Sequence, residues 1–145
     1  AEKLPFRDKS FDTVIFLDVI EHIPAQTELK CLKEIYRVLK PKGTLILSTG
    51  YKHPLGVLFD PSFWAFGHRH YGKDELNNML TQTGFYALHV ITSGKFWRIV
   101  TFNISMMAKH VFKIKLEYSK RIKKKILEDF KPEGVVSIHI IAQKQ

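Results

Sequence analysis

The sequence predicts an α/β fold organised around a parallel strand–helix–strand unit, and three observations carry that expectation. Residues 11–17 (Phe-Asp-Thr-Val-Ile-Phe-Leu) form a short apolar run rich in β-branched and aromatic side chains, the composition of a buried strand. Leu29, Leu32, Ile35, Tyr36 and Leu39 then recur at helical spacing. Residues 44–48 return to a short buried run. Strand, helix and strand with such tight punctuation imply a right-handed crossover in a parallel sheet.

Each element follows from its own residues. Asp8-Lys9-Ser10 reads as the turn before the first strand, and Pro24 suits the first turn of the helix. Lys40-Pro41-Lys42-Gly43 gives that helix a basic end, a stop and a flexible exit. Residues 51–71 show no period but hold Tyr51, Phe59, Phe63, Trp64, Phe66 and Tyr71 among Pro54, Gly56, Pro61 and Gly67. So many aromatics in a loop-like stretch predict a packed lid or pocket wall. Residues 73–83 read as a helix with Leu76, Met79 and Leu80 on one face and Gly84 as its stop. Residues 85–92 form a third strand. A fourth spans 135–142, with Val136, Ile138, Ile140 and Ala142 on one side.

Composition bounds the function classes. A chain of 145 residues has room for one domain. With 45% hydrophobic and 26% charged residues it is no disordered chain. No run approaches the ~20 apolar residues of a membrane span. Cys31 is the only cysteine, which excludes an internal disulfide framework and a multi-cysteine zinc site. A reducing, cytoplasmic setting is expected. The opening Ala1-Glu2-Lys3-Leu4-Pro5-Phe6 has neither methionine nor a signal pattern, so a longer parent chain is expected.

The net charge of +9 is concentrated in one segment. Residues 95–131 hold eleven Lys/Arg against three acids, for a local charge of +8. There Val100, Ile104, Met107, Val111, Ile114, Tyr118, Ile122 and Ile126 recur at steps of three or four. This predicts one or two amphipathic helices with a break near Asn103 or Ser119. The domain is therefore residues 1–94 and 132–145, with 95–131 a basic helical insertion.

Ligands of open α/β sheets collect at the carboxyl ends of the parallel strands, and the first strand here runs into Asp18-Val19-Ile20-Glu21-His22-Ile23-Pro24. A helix beginning within this stretch places Asp18, Glu21 and His22 on one face. Alternatively, the two acids only favour a helix N-terminus electrostatically.

Leu4-Pro5-Phe6, Ser10-Phe11-Asp12, Glu21-His22-Ile23-Pro24 and Val38-Leu39-Lys40-Pro41-Lys42-Gly43 together resemble the class I S-adenosylmethionine-dependent methyltransferases. Tyr71-Gly72-Lys73-Asp74-Glu75-Leu76 and the stretch from Leu80 to Phe85 extend the resemblance. It implies a truncated Rossmann-like methyltransferase sheet, strands four to seven with flanking helices. The last strand would lie antiparallel between its two predecessors. No Gly-x-Gly-x-x-Gly stands in this chain. The resemblance thus implies the C-terminal half of an enzyme, with weak cofactor binding by these residues alone.

Under the same resemblance, Ala1 and Glu2 lie near the adenine of S-adenosylmethionine, and Leu17, Asp18 and Val19 lie by its transferable methyl group. Asp18-x-x-Glu21-His22 is similar to the Glu-x-x-Glu-His of ubiquinone-biosynthesis and small-RNA 2′-O-methyltransferases that bind a divalent metal. Asp18, Glu21 and His22 are a donor set for Mg²⁺ or Mn²⁺, although aspartate is one methylene short of that pattern. Methyl transfer to oxygen needs a proton acceptor, for which His22 comes first and His68 or His70 second, with Asp18 also counted among the catalytic residues. Tyr51, Trp64, His68 and Tyr71 would shape the substrate pocket. His53, His89, His110 and His139 read as structural.

The leading expectation is thus a methyltransferase acting on oxygen or carbon of a small-molecule, lipid-linked or saccharide-linked acceptor. The alternative is a module without activity that binds a partner or an anionic membrane surface through residues 95–131. A nicotinamide-dependent dehydrogenase fits the pattern from Phe11 to Gly43 poorly. Nucleic acid ranks last, because only Tyr118 and Phe130 are aromatic within the lysine cluster from Lys113 to Lys131.

Overall fold

The computed structural model of the chain describes residues 3–145, with the side chains of residues 62, 65 and 66 outside that description. Strand β1 (Phe11–Leu17) leads through a 3₁₀ turn at Ile20–His22 to helix α1 (Glu28–Val38) and strand β2 (Leu39–Gly50). Short helices α2 (Pro54–Leu58) and α3 (Pro61–Phe66) precede α4 (Lys73–Gln82) and strand β3 (Phe85–Ser93). Helices α5 (Phe96–His110) and α6 (Lys120–Glu128) precede the last strand, β4 (Ser137–Lys144). The sheet order is β1-β2-β4-β3, with β1 parallel to β2 and β4 antiparallel to both of its neighbours. This is the strand arrangement of a Rossmann-like methyltransferase sheet.

The core lies on one face of this sheet. Helix α1 buries Cys31, Leu32 and Ile35, and α4 buries Leu76 and Leu80, against Phe16, Leu45, Leu47, Phe85, Ile138 and Ile140. Each such side chain contributes about 1.5–3 kcal/mol by leaving water. Gly84 ends α4 in the left-handed region (φ 89°), and a Cβ there would stand 2.7 Å from the Tyr36 ring. Glycine is required on both counts.

Several boundaries differ from the sequence reading. Helix α1 begins at Glu28, not Pro24, because Gln26 turns left-handed (φ 69°) and resets the chain. Residues 40–43 continue into β2 through an irregular register opposite Phe11 and Thr13, with Lys42 left-handed. Residues 51–71 hold two helices instead of a plain loop. The basic segment breaks at 111–119, close to Ser119 and well past Asn103, which lies inside α5. Tyr118 Oη donates to Thr101 O at 2.7 Å, so the intervening segment returns along α5. Among the described residues, no helix is long and apolar enough to cross a membrane.

Candidate functional site

The parallel strands β1 and β2 end at the edge of the sheet where antiparallel β4 begins. Asp18 leaves β1 in the left-handed region (φ 51°), which aspartate tolerates better than most residues. Its N–H donates to Ser48 O at 2.9 Å, and its carboxylate accepts from Ser48 Oγ at 2.8 Å. Glu21 accepts from the buried Thr49 Oγ1 at 2.8 Å. Each acid is thus anchored on a hydroxyl at the end of β2.

Asp18 therefore lies outside any helix, and the expected shared helical face with Glu21 and His22 does not form. His22 is exposed, with its ring edge-on to His68 at 4.6 Å between centroids. Among the described residues no three His, Cys, Asp or Glu side chains are grouped to hold a metal ion. The donors expected for Mg²⁺ or Mn²⁺ turn to separate partners.

The chain after β2 supplies the other wall. Arg69 ties this wall to the first, donating to Ile20 O at 3.1 Å and to Ile23 O and the Glu28 carboxylate. Tyr71, also expected in a substrate pocket, is buried in the same clamp, with its hydroxyl 3.2 Å from both Ile20 O and Glu28 Oε1. Burial, foremost, raises its phenol above the ordinary range, with the nearby Glu28 carboxylate pushing the same way. That keeps it a neutral donor.

Between the clamped walls is a cavity of about 130 Å³ lined by Asp18, Glu21, Asp60, His68, His70 and Arg98, with Phe59 and Phe102 as apolar cover. The His70 side chain is only 6% exposed, and its Nε2 stands 3.0 Å from Asp60 Oδ2. Its Nδ1 is buried and has no hydrogen-bond partner among the described residues. When Nε2–H is donated to the carboxylate, Nδ1 is left as the ring's lone-pair acceptor. A buried polar atom left unpaired in this way is uncommon and calls for an explanation.

His139 adds a further imidazole on β4, directly opposite Ser48 in the ladder, with Nε2 2.7 Å from Ser93 Oγ. Burial lowers its pKa below the usual 6.5; Asp18 opposes that shift and Arg98 reinforces it. It is a neutral group at neutral pH.

The other expected residues are spread more widely. Trp64 lies outside this cavity, 68% exposed, donating to Leu58 O at 3.2 Å. Tyr51 bridges to Tyr71 in the backbone and lies 5.8 Å beneath the Lys73 ammonium. Leu17 and Val19 are exposed beside Asp18. Ala1 and Glu2 lie outside the described residues. The sequence reading missed Asp60, Arg69 and Arg98 as wall residues. It also gave His139 no role. A lone histidine in an alternating strand and an acid ten residues from its partner in an aperiodic stretch leave no spacing signal.

Residues 1–47 match the family described as "Methyltransferase domain". The chain is 45% identical over 66 residues to the ubiquinone/menaquinone biosynthesis C-methyltransferase UbiE of Rickettsia typhi, covering 46% of this chain and 25% of that protein. It is 38% identical over 86 residues to malonyl-[acyl-carrier protein] O-methyltransferase 1 of Coxiella burnetii, covering 57% of this chain and 29% of that protein. The chain thus spans less than a third of the length of these curated relatives. The crystal structure of an S-adenosylmethionine-dependent methyltransferase from Thermotoga maritima superposes with a TM-score of 0.65 at 22% identity, over 99% of this chain and 61% of that one. The [4+2]-cyclase SpnF superposes with a TM-score of 0.61 at 19% identity, over 99% of this chain and 53% of that one. The shared fold therefore does not by itself select the chemistry.

Proposed function

We propose, on the premise that this chain is part of a class I S-adenosylmethionine-dependent methyltransferase domain, that it forms the acceptor side of a methyl-transfer site with His70 as the proton acceptor. The observation that carries this reading is the Asp60–His70 pair, buried on the cavity wall with Nδ1 unpaired. Support for methyl transfer as the reaction comes from the family match and from relatives that methylate carbon and oxygen.

S-adenosylmethionine, when bound, supplies an electrophilic methyl group on a sulfonium. Exposed Leu17 and Val19 flanking the Asp18 carboxylate suit an amphiphilic, cationic ligand at the end of β1. What the described residues must do is align the acceptor and take its proton. His70 Nδ1 takes the proton from the acceptor oxygen or acidic carbon. Asp60 holds the ring in the required tautomer and stabilises the imidazolium that results, the role of a carboxylate behind a catalytic histidine. Asp18 and Glu21, fixed on Ser48 and Thr49, give the cavity acceptors for a hydroxylated substrate. Arg98, which also lines the cavity, offers the acceptor a donor. His22 stands beside His68 and is not among the residues lining the cavity.

The test is transfer of labelled methyl from S-adenosylmethionine to a panel of hydroxylated and carbon-acid acceptors by the whole enzyme. His70→Gln lowers kcat by about 10²–10⁴ and leaves cofactor affinity unchanged. Asp60→Asn gives a smaller loss. Wild-type turnover in His70→Gln would remove the base from this reading.

A further inference from the structure

We propose that the ridge formed by α2, α3 and α5 docks on the surface of an anionic bilayer. This inference stands apart from the methyl-transfer reading, since it uses none of the groups placed in the cavity as chemical participants.

Large apolar side chains are exposed together along this ridge. Leu58 and Trp64 project from α2 and α3; Phe96, Ile104 and Met107 project from α5, and Val111 and Phe112 extend the series beyond its end. The helices are joined: Asn103 Nδ2 donates to Phe59 O at 2.7 Å. An apolar groove of about 610 Å³ runs between them, walled by Leu55, Phe59, Phe96, Ile99, Val100 and Ile104. A second hollow, of about 460 Å³, continues past Pro61 and Met107 to Val111. Contiguous apolar surface on this scale marks a site that something covers.

Charge identifies the cover. Lys109, Lys113 and Lys115 follow the far end of the ridge. At the near end, Lys125 of α6 lies 4.1 Å above the Trp97 ring, bringing the 120–125 cluster beside the first turn of α5. Of the three acids in residues 95–131, Asp129 is engaged with the Arg98 N–H at 2.9 Å. An apolar ridge bracketed by cations has the two components of interfacial membrane binding: side chains that enter the acyl boundary and lysines that meet anionic headgroups. Nucleic acid would satisfy the lysines but offers no apolar phase for leucine, isoleucine and methionine.

The experiment is co-sedimentation of the protein with vesicles of phosphatidylcholine alone and with roughly 30% phosphatidylserine, read together with quenching of Trp64 by brominated lipid. Binding is expected on the anionic vesicles only, with Trp64 quenched. It should fall at least about tenfold as salt is raised from about 0.1 to about 0.5 M. Replacing Lys120, Arg121, Lys123, Lys124 and Lys125 by glutamine lowers affinity by about a hundredfold or more, while Met107→Ser with Val111→Ser removes the quenching. In the glutamine variant only Lys125 is half-buried and the other four side chains are exposed, so it keeps the test decisive should the serine variant fold poorly. Equal binding to both vesicle types, no binding to either, or affinity unchanged by the five glutamines would overturn the proposal. So would salt-sensitive binding of a single-stranded oligonucleotide in the absence of any vesicle binding.

Discussion

Ile140 and Ile141 are neighbours on the same strand, yet one is 1% exposed and the other 37%. The contrast holds across the whole sheet. On the face covered by α1 and α4, Leu45, Leu47, Phe85 and Ile138 are buried. On the opposite face Ile15, at 66% exposed, and Leu17, Tyr86 and Ile91 meet solvent. Strand alternation assigns side chains to faces without deciding which face is covered. The polar members of the open face divide between its two ends. Thr13, Thr44 and Gln143 share one row, while Ser48, His139 and Ser93 lie toward the end where Asp18 leaves β1. Apolar burial is thus concentrated on one face, while Asp18, Ser48 and His139 gather at the carboxyl rim of the other.

The adjacent isoleucines give the largest test of this division. Ile140→Ala removes a buried side chain and should cost about 2–5 kcal/mol. Ile141→Ala should cost about 1 kcal/mol or less, mostly as lost strand preference. Urea unfolding of both variants reads the difference directly. Similar losses would mean that the open face is covered after all.

A smaller effect sharpens the account of the rim. A Cβ on Gly50 would stand 2.7 Å from His70 Cδ2, whereas one on Gly72 meets nothing nearer than 3.9 Å. Gly50→Ala should therefore destabilise the protein by about 1–3 kcal/mol through overpacking, and move the His70 ring resonances. Gly72→Ala, as the control, should cost about 1 kcal/mol or less through the N-cap of α4 and leave the His70 ring unchanged. An unshifted His70 ring in Gly50→Ala would show that the imidazole does not rest on β2 as described.

Much of this was legible in the sequence, for definable reasons. The strand and helix runs are set by local periodicity, so β1, α4 and β3 were located within a residue or two. The order of the sheet came from family resemblance, since no local pattern says that β4 inserts between β2 and β3. Asp18 and Glu21 were found because they follow a strand, but their arrangement was not. It depends on a left-handed aspartate and on two hydroxyls 28 and 30 residues away. The Asp60–His70 pair arises only when the 51–71 segment folds on itself, and the Arg69 clamp only when it folds back on the 18–28 segment. Aromatic content announced that wall without showing which polar atoms it would aim.

His139 provides the last and smallest test, because its burial is a property of the covered end of the otherwise open face. Its pKa is lowered, first by burial and then by Arg98, with Asp18 acting in the other direction. A histidine that is harder to protonate when folded gives the unfolded chain the greater proton uptake below the ordinary pKa of about 6.5. Its contribution is therefore fully present above that pH and is lost as the solution becomes more acidic. Glutamine at this position can still bond the Ser93 hydroxyl but does not titrate. Between about pH 7.5 and about pH 5.5, wild type should lose more stability than His139→Gln, as urea unfolding at each pH would measure. The other histidines are common to both proteins and cancel from the comparison. Parallel stability profiles would mean that His139 is as accessible to protons when folded as when unfolded, and that the rim is open to solvent as far as β4.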